Sequence, residues 1–380
     1  MIKGERVSHL DYAKAIAIFF VITLHVGFYQ INSFFLFAMP LFFVVTGYSF
    51  SLGKRSIKES VYLRFKAIML PFWIFMLVYI PLEVVRAYIF GYSDYSVMFP
   101  ALAKTIYGSG VIPFENNITA YLKEVMAYKG QPAIGVDVIL PASCHLWFLP
   151  AMFTGYVMFI ILVESANKNH WLKVIYVVSL LFIASIETVF PAVCQLPLGL
   201  GRGAIGAAFM LVGFWLKESK IFEKKSIVLN IIFGMLATSI YIVALCLGSN
   251  GGLFVRSIYG GYGAISLCIT FVGGTCGAVI LLQLCRLIEK IPVGAIKNFL
   301  SFVGKNVIVF YILHMLVKFV LDAIYIVLLQ RGETVLLDEY KMGLMPETSL
   351  VFMMLEVVAI IVICALIAKL YQRVKTRVKN

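Results

Sequence analysis

Long apolar stretches alternate along this chain with short basic ones. No Asp, Glu, Lys or Arg occurs from Ala15 to Gly53, from Val138 to Val163, from Ser226 to Val255 or from Ser257 to Cys285. Apolar runs of about 18 or more residues read as membrane-spanning helices, and a hydrocarbon core about 30 Å thick takes about 20 helical residues. On that measure the pattern predicts ten spans, over approximately 10–28, 34–52, 67–90, 146–164, 172–190, 198–216, 227–247, 263–286, 299–329 and 349–369. The expected fold is all-α, a polytopic membrane protein with one transmembrane domain over residues 1–380. The third and ninth spans carry charges in their outer halves, which marks them as candidates for kinks or interruptions.

Composition strengthens this reading. Apolar residues make up 62% of the 380 and charged residues 13%, against roughly 45–50% and about 25% in soluble chains. The net charge of +13 would suit a nucleic-acid partner, but its distribution excludes that class. The basic residues sit in short clusters between spans, as the positive-inside rule requires. With a cytoplasmic N-terminus, 22 of the 32 Lys and Arg residues fall in inside segments. Both termini are then cytoplasmic, residues 91–145 form a long extracytoplasmic loop, and residues 370–380 form a basic cytoplasmic tail. The partners expected at these surfaces are membrane lipids.

The seven cysteines add little. Cys246, Cys268, Cys276, Cys285 and Cys364 lie in apolar spans and read as small hydrophobes. Cys144 and Cys194 both fall near the outer face, where a disulfide is the less favoured reading. No spacing suits a metal, so no metal is expected. The first apolar run carries Asp11, Lys14 and His25 and is not a cleaved signal peptide.

Ionisable side chains inside the spans carry the chemical information. A charge at mid-bilayer costs about 2.5–3.5 kcal/mol on insertion scales, so each one needs a reason. At 100° per residue, Lys14 and His25 lie about 20° apart around the first helix, and Asp11 lies about 40° to the other side. The three share one stripe, but about 21 Å of helix rise separates Asp11 from His25, so these two cannot form a dyad. His314 lies in the ninth span at about the depth of His25, and His145 opens the fourth span at the outer surface. An imidazole can serve as an interhelical hydrogen-bond partner or as a proton-transfer group. The stripe favours the second role for His25.

Other intramembrane charges read as mutually satisfied. Lys318 and Asp322 stand at i, i+4, and Glu83 and Arg86 at i, i+3. Glu356 requires a partner that the sequence does not name. Arg202, between Gly201 and Gly203, either meets an anionic or hydroxylated ligand or snorkels to headgroups.

At this point the residues resemble a known family. Leu10-Asp11-Tyr12-Ala13-Lys14-Ala15-Ile16-Ala17, followed by His25, resembles the opening signature of the membrane acyltransferase-3 family. Met39-Pro40-Leu41-Phe42-Phe43 with Gly47-Tyr48 is similar to its second signature. Arg64 and Lys66 leading into Pro71-Phe72 resemble its basic stretch. His145-Leu146-Trp147-Phe148-Leu149, then Gly304-Lys305-Asn306 and Tyr311-Ile312-Leu313-His314, resemble later blocks. The resemblance runs in order over about residues 6–318. There are departures. Lys14 stands where many members have Arg, which is similar to a subgroup resembling fucose 4-O-acetylases. Ala67 takes the place of the second Arg in the family's Arg-x-x-Arg stretch, and Lys66 supplies that charge in part. No hydrolase-like domain is appended, so the membrane part is expected to act alone or to hand over to a partner.

The resemblance implies an O-acyltransferase of a bacterial cell membrane. It would move an acyl group, acetyl being the usual one, from cytoplasmic acetyl-CoA to a hydroxyl of a cell-surface glycan or lipid-linked sugar. On that reading His25, with His314 and Asp11, forms the catalytic set, and His25 is a general base or a transient acyl carrier. Lys14, Arg64, Lys66 and Lys305 would hold the CoA polyanion at the inner surface. His145, Trp147 and Arg202 would border the outer mouth where a sugar arrives. The rival class is a transporter or glycolipid flippase without covalent chemistry, which intramembrane charges also suit. No inverted repeat and no paired broken helices support it.

Overall fold

A computed structural model describes residues 7–26, 37–89, 144–166, 169–189, 197–220, 227–247, 263–329 and 350–379. Its helices are α1 (Ser8–Val26), α2 (Ala38–Ser49), α3 (Ile57–Arg64), α4 (Leu70–Ile89), α5 (Phe148–Ala166), α6 (His170–Val189), α7 (Leu200–Glu218), α8 (Ile227–Leu247), α9 (Gly263–Lys290), α10 (Gly294–Lys305), α11 (Val307–Leu329) and α12 (Leu350–Lys379). A π-helical turn, Phe65–Met69, joins α3 to α4, and 3-10 turns at Cys144–Trp147 and Pro197–Gly199 lead into α5 and α7. Among the described residues all regular structure is helical, in agreement with the all-α expectation. Most of the loop over 91–145 lies outside the described residues. So do Cys194 and the side chains of Glu83, Arg86 and Asp322.

Among the described residues, six helical stretches are long and apolar enough to cross a membrane, beginning at Ser8, Ile57, His145, Pro197, Leu267 and Met353. The α10–α11 pair is a seventh if taken as one bent span. The other three predicted spans coincide with shorter apolar helices, Ala38–Ser49, Trp171–Ala184 and Ile231–Cys246. The chain is a multi-pass membrane protein.

The two spans singled out as irregular do carry irregularities. The third carries the π turn at its start and Pro81 within α4. The ninth breaks at Asn306, where α10 and α11 meet at 83°. The break has a local cause. The Asn306 backbone N–H bonds back to the Phe302 and Val303 carbonyls, and its side-chain Nδ2 donates to Phe302 O at 2.7 Å. These bonds close α10 and leave the chain free to turn. Gln372 of α12 donates to Asn306 Oδ1 at 2.8 Å.

Small residues let the inner helices touch backbone to backbone, as in other membrane bundles. A Cβ on Gly47 of α2 would run into the Met210 backbone of α7, and one on Gly213 of α7 into the Val44 carbonyl of α2. α7 also packs on α5 and α6, and 78% of its span is buried. The stretch Ile57–Tyr79, which runs from α3 into α4, and α12 lie at the other extreme, with 22% of each span window buried. α12 turns Val351, Met354, Leu355, Val358 and Val362 outward, as lipid-facing residues must be. α1 sits between these layers, against α2, α9, α10, α11 and α12. Gly304 of α10 abuts the Asp11 backbone carbonyl so closely that any Cβ there would clash.

Candidate functional site

Three histidines from distant parts of the sequence converge. His25 lies at the end of α1, His314 on the third turn of α11, and His145 in the 3-10 turn before α5. Ring centroids stand 5.0 Å apart for His25–His314 and His145–His314, and 6.5 Å apart for His25–His145. His145 and His314 are buried, whereas His25 keeps open surface. The sequence places His145 at the outer mouth. The structure draws it into the cluster, where it packs against Tyr79 at 5.6 Å and Tyr311 at 5.8 Å.

Backbone carbonyls orient the rings. His25 Nδ1 lies 2.8 Å from Val21 O, and His314 Nδ1 lies 2.7 Å from Tyr311 O and 3.2 Å from Phe310 O. Carbonyl oxygens only accept, so both Nδ1 atoms carry the proton. In the neutral rings each Nε2 then presents a lone pair. That of His314 faces His25 Nδ1 at 3.4 Å, which makes His314 a second acceptor for the His25 N–H. His25 is thus held in one tautomer by two partners and presents a basic Nε2, the arrangement that general-base or nucleophilic imidazoles require. The frame is braced by Tyr311, whose hydroxyl donates to the His145 carbonyl, and by Tyr79, whose hydroxyl donates to Ile312 O at 3.2 Å.

Trp147 and Arg202 meet beside this cluster. The Arg202 guanidinium lies 4.8 Å over the Trp147 ring and is buried, so it does not snorkel outward. Two left-handed residues, Leu198 (φ 54°) and Gly199 (φ 60°), turn the chain into α7 and set Arg202 on its first turn. Thr154 of α5 donates to the Leu198 carbonyl at 3.4 Å and ties the turn down. Positive φ at a leucine is strained and is found where a site needs it.

The basic residues at the other end of α1 do not converge in this way. Asp11 does not join the histidines. It is buried and pairs with Lys14 at 2.7 Å, one turn along the same helix. Arg64, just before the π turn, lies 4.7 Å over Tyr156 of α5, and exposed Lys66 lies 4.6 Å over Tyr62. Lys305 is exposed at the α10–α11 break. Lys217 donates to the Phe50 carbonyl and to Ser51 Oγ, the latter at 3.0 Å, and Lys173 lies 5.0 Å over Phe214. Cations therefore ring the aromatic cluster Phe50, Tyr156, Phe159 and Phe214 rather than enclose one point. Among the described residues no group of His, Cys, Asp and Glu is arranged to hold a metal ion.

Sequence reasoning missed several partners. Tyr311 sits three residues before His314, a spacing that could have flagged it. Tyr79 carries no such signal, since its contact spans 233 residues. Glu356 finds its partner in Lys318, 3.6 Å away. His9 at the start of α1 is clamped by Glu289 of α9, which accepts from its backbone N–H at 2.7 Å and stands 3.2 Å from its ring Nδ1.

A family model described as an acyltransferase domain matches residues 7–369. No curated protein and no solved structure matches the chain. The family match takes in the histidine cluster and the basic residues alike, and it displaces a transporter without covalent chemistry. The chain belongs to the membrane acyltransferase-3 family and is an acyltransferase of the bilayer.

Proposed function

We propose that this enzyme moves an acyl group, acetyl in the favoured reading, from cytoplasmic acyl-CoA to a hydroxyl of a cell-surface glycan or lipid-linked sugar. The observation that carries the reading is His25, tautomer-locked by Val21 O and His314 and only partly buried. Arg64, Lys66, Lys14 and Lys305 supply cations suited to the phosphates of CoA. Lys14 lies about 17 Å along α1 from His25, a length that an extended pantetheine arm spans. Trp147 and Arg202 offer an aromatic face and a guanidinium beside the cluster, the groups that sugars and their hydroxyls use.

In direct transfer, His25 Nε2 takes the proton of the acceptor hydroxyl as its oxygen attacks the thioester carbon. The tetrahedral intermediate collapses, the C–S bond breaks, and the leaving sulfur takes the proton back from His25 Nε2. His314 keeps the ring aligned through both steps. In the alternative, Nε2 itself takes the acyl group and passes it on.

The test uses membranes containing the protein, radiolabelled acetyl-CoA and the host surface glycan. Label in an alkali-labile ester with wild type and not with His25→Ala supports the reading. Transfer at near wild-type rate by His25→Ala overturns the role of His25. No transfer by wild type, with no thermal stabilisation by CoA, overturns the donor.

A further inference from the structure

One charged pair beside the histidines has no part in the chemistry described above. Lys318 lies one helical turn beyond His314 on α11, so the two side chains share a face. Its ammonium stands 3.6 Å from Glu356 of α12, with the side chains 13% and 4% exposed. Stability does not account for such a pair, because replacing both partners of a buried ion pair by apolar residues is often neutral or stabilising. A cation beside an imidazole that must take up a proton opposes that step unless a negative charge develops close to both. Acyl transfer generates that charge on the carbonyl oxygen.

We propose that Lys318 is a catalytic residue that stabilises the oxyanion of acyl transfer and that Glu356 positions it. The proposal rests on the acyl-CoA reading given above. As the acceptor oxygen bonds to the thioester carbon, the C=O electron pair moves onto oxygen and an N–H of Lys318 donates to it. When the intermediate collapses, that pair re-forms C=O, the C–S bond breaks and the sulfur takes the proton from His25 Nε2. Lys318 gives up no proton and is unchanged at the end of the cycle. Preorganised donors of this kind contribute on the order of 100–1000-fold to kcat.

The experiment compares Lys318→Met, Glu356→Met, the double Met variant and Lys318→Arg in the purified full-length enzyme. It follows labelled acetyl transfer from acetyl-CoA and the thermal midpoint with and without CoA. Each single Met variant removes one member of the buried pair and lowers the midpoint. The double variant is expected to regain the midpoint and the CoA-induced shift. Its kcat should nevertheless stay on the order of 100-fold low with the KM for acetyl-CoA unchanged. Lys318→Arg should keep part of the rate. A double Met variant as fast as wild type would show the pair to be structural and overturn the proposal alone. If that variant does not insert, Lys318→Gln with Glu356→Gln is read by the same two criteria. Failure of wild type to transfer from acetyl-CoA overturns the donor reading and this proposal together.

Discussion

The two ends of α1 are organised on opposite principles. At the His25 end, three rings from three parts of the chain lie within 6.5 Å of one another, with carbonyls fixing two of them. At the Lys14 end, three cations have separate partners: Asp11 for Lys14, Tyr156 for Arg64 and Tyr62 for Lys66. The first arrangement suits chemistry, where displacement of about 1 Å can cost on the order of 100-fold. The second suits the capture of a long, flexible polyanion, where many weak contacts can be added one at a time. Preorganisation is thus concentrated at the histidine end.

This contrast can be broken by experiment. The largest effect belongs to His25→Ala, with transfer reduced by at least about 100-fold and an unchanged thermal midpoint. His314→Ala removes the second acceptor for the His25 N–H. It should reduce kcat by on the order of 10-fold to 100-fold at constant KM for acetyl-CoA, measured by steady-state label transfer. Gly304→Leu pushes side-chain carbon into the Asp11 carbonyl. It should cost about 1–3 kcal/mol as overpacking, seen as a lower midpoint in detergent. Arg64→Ala should raise the KM for acetyl-CoA by about tenfold, the value of one charge-assisted contact, with kcat intact. Lys66→Ala, at an exposed site, should change KM by about twofold. If Lys66→Ala abolished transfer while His314→Ala did not, the assignment of chemistry and capture to the two ends would be reversed.

Much of the framework is legible in the sequence because membrane insertion is written in local terms. Hydropathy marks the helices, and the 100° step of a helix puts Asp11, Lys14 and His25 on one stripe. The rise per residue of that same helix keeps Asp11 out of reach of His25. What local terms do not encode is which helices touch. The entry of His145 into the cluster depends on the turn at Cys144–Trp147 packing against Tyr79 and Tyr311. The partnership of Lys318 with Glu356 lies beyond any i, i+4 rule, because it arises where α12 packs against α11. The glycines of the second and fifth family blocks, Gly47 and Gly304, are visible in the sequence only as motif letters. The structure gives them a physical reason, since each lies where another backbone leaves no room for a Cβ.

The bend at Asn306 has a mechanical consequence. α10 grips α1 at Asp11 through Gly304, and α11 meets α1 again at His25 through His314. One angled arm therefore clasps both ends of α1, with its elbow tethered to α12 by Gln372. The angle at that elbow therefore sets how Gly304 and His314 meet α1 at the same time, so a change of the bend would alter both contacts together.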